Sequence, residues 1–162
     1  MNAIETQALT KRFGDTTAVD ALNLSVRQGE LFALLGVNGA GKTTTIRMLC
    51  GLLQPTGGDA QVCGKSIVRE TAAVKQVIGV SPQETAVGPF LTVRENLALM
   101  AGLHGFDKNR AAATTQLLLE RLHLKEVENK RAKTLSGGWM RRLSIAMALV
   151  SEPQVLFLDE PT

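Results

Sequence analysis

Two short stretches of this 162-residue chain combine residue types and spacings suited to phosphate chemistry. The first, GVNGAGKT at Gly36 to Thr43, meets the spacing G-x-x-x-x-G-K-[ST]. Small residues let consecutive backbone N–H groups converge on phosphate oxygens, and the start of a following helix adds its positive dipole end. The Lys42 ammonium then reaches the β and γ phosphates, and the Thr43 hydroxyl is a ligand for Mg²⁺. Gly36, Asn38, Gly39, Ala40, Gly41, Lys42, Thr43 and Thr44 are therefore the candidate nucleotide-binding residues. The second stretch, VLFLDEPT at Val155 to Thr162, sets adjacent carboxylates behind four apolar residues. A buried strand would carry them to the C-terminal end of a sheet, where open α/β sheets bind ligands. There Asp159 is placed to hold the Mg²⁺, and Glu160, on the opposite side of the strand end, to orient or deprotonate an attacking water.

These residues need elements to hold them. LFALL, Leu31 to Leu35, is a continuous apolar run that predicts a strand covered on both faces, and GVNGAGKTTTIRMLCG predicts a glycine loop entering a helix with Gly51 at its end. Leu22, Leu24 and Val26 alternate with polar residues, as in a half-buried edge strand, and VIGV at Val77 to Val80 is a further short strand. Thr92 and Glu95 form a capping box opening a helix that ends at Gly105, and a second helix is expected through RAAATTQLLLERLHL. A third begins near Ser136, ends before Pro153 and leads into VLFL.

Composition sets outer bounds. The chain is 44% hydrophobic and 20% charged, enough apolar material for one ordinary core, with no repeat and no low-complexity segment. Its net charge of +3 is spread along the chain; the densest basic stretch, Lys125 to Lys133, contains Glu126 and Glu128 and lacks clustered aromatics, so no nucleic-acid partner is expected. Cys50 and Cys63 have no C-x-x-C spacing and are expected to be small buried side chains in a reducing compartment. The longest near-apolar run, Leu143 to Val150, is far shorter than the ~18 residues of a membrane helix, and the first residues carry no apolar leader segment, so a cytoplasmic chain is expected.

LSGG, Leu135 to Gly138, stands at the head of a helix before the acid strand. This pattern resembles the signature of the ATP-binding cassette ATPases, the engines of ABC transporters, and the resemblance runs in order along the whole chain. It implies an α/β fold: a P-loop NTPase core with a mostly parallel sheet, an N-terminal antiparallel β subdomain and a helical insertion, with core at about 1–91 and 132–162 and the helical subdomain at about 92–131. It also implies that Phe13 stacks on adenine, and that Gln83 senses Mg²⁺ and meets the membrane partner. Ser136, Gly137 and Gly138 would act in trans, two cassettes pairing head to tail so that each signature helix points at the γ-phosphate held by the other. A bare helix start with a serine is physically suited to an anion. The wording around Thr92 and Leu135 is similar to the branch that exports drugs and polysaccharides through a separate membrane subunit, which implies a peripheral place on the cytoplasmic face of the membrane.

Trp139 departs from the family's common glutamine, and Val37 from a frequent proline. Family members continue beyond the acid strand with an aspartate loop and a strand ending in histidine that contacts the γ-phosphate. Neither follows Thr162 in this sequence, and His104 and His123 fall in the helical insertion as surface or boundary residues. The expectation is an incomplete transporter ATPase lacking the C-terminal part of its core and inactive by itself. The alternatives are a truncated module that binds nucleotide or a partner without catalysis and, less favoured, an ABC-type ATPase outside transport. Without a following strand the core sheet would keep an open apolar edge, so the isolated 162 residues should be marginally stable or prone to aggregate. Thermal unfolding of the purified monomer checks this: a broad or irreversible transition is expected, and a cooperative one would refute it.

Overall fold

A computed structural model describes residues 1–82 and 86–159, and the chain divides into two compact units, Met1–Ile78 and Gly79–Thr162. The first is organised by one long strand. β1 (Asn2–Phe13) pairs antiparallel with β2 (Thr16–Leu22), with β3 (Ser25–Arg27) and with β4 (Gly57–Val62), and β4 pairs in turn with β5 (Lys65–Ser66). A single strand serves so many partners because it bends: its register against β4 shifts between Gln7 and Thr10, across Ala8, whose φ is 47°, and its register against β2 shifts between Leu9 and Arg12. Gly58 makes this bend possible, since a Cβ there would stand 2.2 Å from the Ala8 carbonyl oxygen. The expected alternation of Leu22, Leu24 and Val26 is real, but it is divided between β2 and β3. The buried Thr6 hydroxyl spans the break, donating to the Leu22 carbonyl and accepting from the Leu24 N–H, both at 2.8 Å. Helix α1 (Lys42–Leu49) packs on β2 and β4 and buries Met48 and Leu49, while Gly51 follows its end with φ 66°. Helix α2 (Thr71–Val77) completes this unit.

The expected core strand at Leu31 to Leu35 is not formed. The run has no regular secondary structure, and Leu31 and Leu35 are 97% and 88% exposed. The reason is pairing: a strand of this composition needs neighbours along its edges, and the ladders of the described residues are all made by other segments.

In the second unit, β6 (Ile78–Ser81) pairs with β7 (Val155–Leu158) in a two-stranded parallel sheet. Between them lie α3 (Val93–Leu103), α4 (Lys108–Arg121), two short 3-10 turns at Lys125–Val127 and Ala132–Thr134, and α5 (Gly137–Leu149). The three helices share an apolar core that includes Val93, Leu97, Leu118, Leu119, Leu124, Leu143 and Val150. The capping box holds as expected: the Thr92 side chain accepts from the Glu95 N–H, and the Glu95 carboxylate from the Thr92 N–H at 2.7 Å. Asp107 caps α4 by accepting from the Arg110 N–H at 2.9 Å.

An amide side chain lies within this apolar core. Asn96 is fully buried; its Oδ1 accepts from the Gly88 N–H at 2.8 Å, while its Nδ2 donates to the carbonyls of Gly88 at 3.1 Å and Thr92 at 2.9 Å. It ties the loop before α3 to the helix's first turn. Asn96→Ala should destabilise the folded protein by about 2–4 kcal/mol, because it opens a cavity and also strands buried backbone groups, and denaturant unfolding measures the loss.

Candidate functional site

The sequence-predicted site residues fall in both units. In the first, the glycine loop leads into α1 at Gly41, the N-cap, whose φ of 83° is left-handed. Glycine is required there twice over: a Cβ would also stand 2.2 Å from the Ala18 carbonyl oxygen and 3.1 Å from Val19 Cγ2. The loop is thus seated directly on the backbone of β2. Gly39 has φ 85° with open space around it, so only its backbone angle calls for glycine. An Ala40 N–H to Val37 carbonyl bond of 3.1 Å turns the loop, and Lys42 Nζ closes it by donating to the carbonyls of Gly36 at 2.6 Å and Val37 at 2.9 Å.

This arrangement selects an anion. No side chain caps the start of α1 and no acid lies in its first turn, so the positive dipole end has no built-in counter-charge, and the lysine ammonium stands within the loop. The three threonines divide by burial. Thr45 is buried and its hydroxyl donates to the Gly41 carbonyl at 2.9 Å, whereas Thr43 is exposed and Thr44 partly so. The loop therefore fits a polyphosphate, with Thr43 the exposed threonine beside the lysine. Phe13, at the end of β1, is 51% exposed, and Lys11 Nζ lies 5.2 Å from its ring centroid. An exposed ring suits a stacking role, with a cation already near it.

In the second unit, Asp159 follows β7 and is partly buried; its N–H donates to the Ser81 carbonyl at 3.1 Å, so pairing with the β6 end extends to the acid itself. Ser136 is the N-cap of α5, its hydroxyl accepting from the Trp139 N–H at 3.5 Å. Gly137 and Gly138 are exposed, and a Cβ on either would meet nothing within 4 Å. Packing among the described residues does not explain those two glycines; an open, side-chain-free helix start that an outside group approaches closely does. Trp139 is partly buried against the helical core, with the Arg142 guanidinium 4.9 Å from its ring centroid. Gln83 and Glu160 lie outside the described residues.

His104 and His123 are both exposed, as expected. Cys50 is buried but Cys63 only partly, and burial raises the Cys63 thiol pKa, against any nucleophilic use. Sequence reasoning missed Asn96 and Arg141. Asn96 had a signal, a lone amide between Val93 and Leu97 on an apolar helix face; Arg141 had none, being one of two adjacent arginines.

Comparison with known proteins agrees with this geometry. A family model described as ABC transporter matches residues 19–162. A daunorubicin resistance ATP-binding protein of Streptomyces coeruleorubidus is 45% identical over 160 residues, covering 99% of this chain and 51% of that protein. A Nod factor export ATP-binding protein I of Paraburkholderia xenovorans is 44% identical over 160 residues, 99% of this chain and 53% of its own length. This chain thus spans about half the length of these curated relatives. Among solved structures, a Clostridium perfringens protein described as part of an ABC transporter complex superposes with TM-score 0.90 at 28% identity, covering 99% of this chain and 66% of that one. Gly41→Ala should lower ATP affinity at least about tenfold, since the loop must leave β2 to admit the methyl group; equilibrium binding of a fluorescent ATP analogue reads the loss.

Proposed function

This chain belongs to the ABC transporter family, and from that membership we propose that it is the ATP-binding part of a transporter ATPase that couples ATP binding and hydrolysis to export through a separate membrane subunit. Members of this family are ATPases. The observation that carries the reading to this chain is the serine-capped start of α5, with two exposed glycines that no internal packing requires. Many proteins that cradle phosphate lack this second anion-facing element, and it has a use once another cassette presents a nucleotide. The Nod factor export relative at 44% identity supports the direction of transport.

In this reading Gly36, Asn38, Gly39, Ala40, Gly41, Lys42, Thr43 and Thr44 bind the phosphates through backbone N–H groups, the ammonium and hydroxyls. Phe13 presents its ring to adenine. Thr43, Gln83 and Asp159 supply oxygens to Mg²⁺. When bound, the ion neutralises the developing charge on the β and γ phosphates. Glu160 takes a proton from the attacking water or orients it, with Gln83 beside it in the catalytic set. Ser136, Gly137 and Gly138 donate to the γ-phosphate held by a partner cassette. The helical segment, about 92–131, is the subdomain between two parts of the core. A membrane permease subunit is the second partner, no nucleic acid is engaged, and the protein sits peripherally on the cytoplasmic face. Among the described residues no helix is long and apolar enough to cross a membrane, so passage of substrate falls to that subunit.

The exposed run at Leu31 to Leu35 supports one further element: the 162 residues by themselves do not hydrolyse ATP, because the loop bearing Lys42 follows a segment without strand partners. In the full-length protein Lys42→Ala should abolish ATP binding. Glu160→Gln should keep binding, cut turnover by about a hundredfold or more, and trap ATP between paired cassettes in size-exclusion analysis. Undiminished turnover in Glu160→Gln would remove that residue from the catalytic role.

A further inference from the structure

Helix α5 and strand β6 touch at three successive points. A Cβ on Gly79 would stand 2.3 Å from the Ala148 carbonyl oxygen, the Ser81 and Ser144 hydroxyls are hydrogen-bonded at 2.8 Å, and Arg141 Nη1 donates to the Pro82 carbonyl at 3.2 Å. Residues 141, 144 and 148 share one helix face, and seven helical residues at ~1.5 Å span about the same 10 Å as three strand residues at ~3.3 Å. The two elements therefore run in opposite directions, which brings the first turns of α5 to the end of β6 that leads into Gln83.

At that end Arg141 makes a second bond, its Nη2 donating to the Asp159 carbonyl at 3.3 Å. Those two carbonyls belong to the peptide units that join Pro82 to Gln83 and Asp159 to Glu160. One side chain of the signature helix thus holds the backbone from which both proposed catalytic side chains continue. The grip is exacting, since the Arg141 Nε–H is buried and, among the described residues, finds no hydrogen-bond partner. A buried guanidinium nitrogen left unpaired is costly, and a chain that needed only packing here would be served better by an apolar residue.

We propose that Arg141 is a positioning residue for ATP hydrolysis: it fixes the ends of β6 and β7 to the signature helix at the Pro82 and Asp159 carbonyls, so that the setting of the helix and the placement of Asp159 change together. The proposal rests on the ATPase reading above. Arg141 touches neither nucleotide nor metal in this scheme; it acts through the strand ends.

The test uses the full-length protein. Arg141→Met keeps the aliphatic stem and removes both donors. The expected result is a fall in kcat for ATP hydrolysis of about tenfold or more and a rise of several-fold in the Mg²⁺ concentration at half-maximal rate, with Mg²⁺-free ATP binding within about twofold of the original. Arg141→Lys, which retains a cation able to reach the carbonyls, should fall between the two. A general packing defect would lower the melting temperature without shifting the Mg²⁺ requirement. Unchanged kcat and Mg²⁺ requirement in Arg141→Met overturn the proposal. Should that variant not fold, Arg141→Lys decides by the same two readouts, and unchanged values again overturn it. Absence of ATP hydrolysis in the unsubstituted protein would instead defeat the proposed function.

Discussion

The close approach of Gly79 to the α5 backbone is the constraint on which the second unit depends. No side chain larger than hydrogen fits at position 79, because the space is held by the Ala148 carbonyl and by Pro153 Cγ, which would stand 2.8 Å from a Cβ there. This contact sets how near the helix can lie to the sheet. With that distance fixed, the Ser81 and Ser144 hydroxyls fall within 2.8 Å, and their buried polar groups satisfy each other. Arg141 is then delivered to the strand ends. A methyl group at 79 would push helix and strand apart, and the loss would be felt one polar contact at a time along the same line.

The first unit rests on a comparable backbone contact, Gly41 against the Ala18 carbonyl. In both places glycine serves a tertiary approach. At Gly41 the approach also sets a left-handed turn that starts α1 without a side-chain cap, so the helix dipole remains available to an anion. Each unit thus presents a helix start with no acid in its first turn, at α1 and at α5. They differ in what lies beside it: the loop of the first brings an ammonium, while the start of α5 brings a serine that caps its own helix and two glycines open to the surroundings.

The local features of both starts were legible in the sequence. The G-K-T spacing, the Ser136 cap, the Thr92 to Glu95 box and the breaks at Gly51, Gly105 and Pro153 are read within a few residues, where steric and capping rules act. That the Leu31 to Leu35 run forms no strand was not legible, since an apolar stretch shows an appetite for burial and does not show whether it finds a strand edge. Arg141 was hidden for a related reason: its acceptors lie 59 and 18 residues away in the chain. The register of β1 was equally out of reach, because the bend at Ala8 that lets it serve several strands depends on Gly58, far away in sequence.

Adjacent residues on α5 show how one helix serves two directions. Arg141 and Arg142 are ~100° apart around the axis, so one turns to the strand ends while the other lies over the Trp139 ring. Side chains on a helix lean toward its N-terminus, which draws the Arg142 charge to the helix start, where the dipole is already positive. Two like charges side by side disfavour each other, and the first turn has no acid to relieve them. An anion seated at Ser136 to Gly138 removes that repulsion. Five residues further, about 7.5 Å along the axis, the same rigid helix holds the carbonyl of Asp159. In the proposed function, binding at the helix start and placement of the acid would be linked by less than two helical turns, with no loop between them to absorb a displacement.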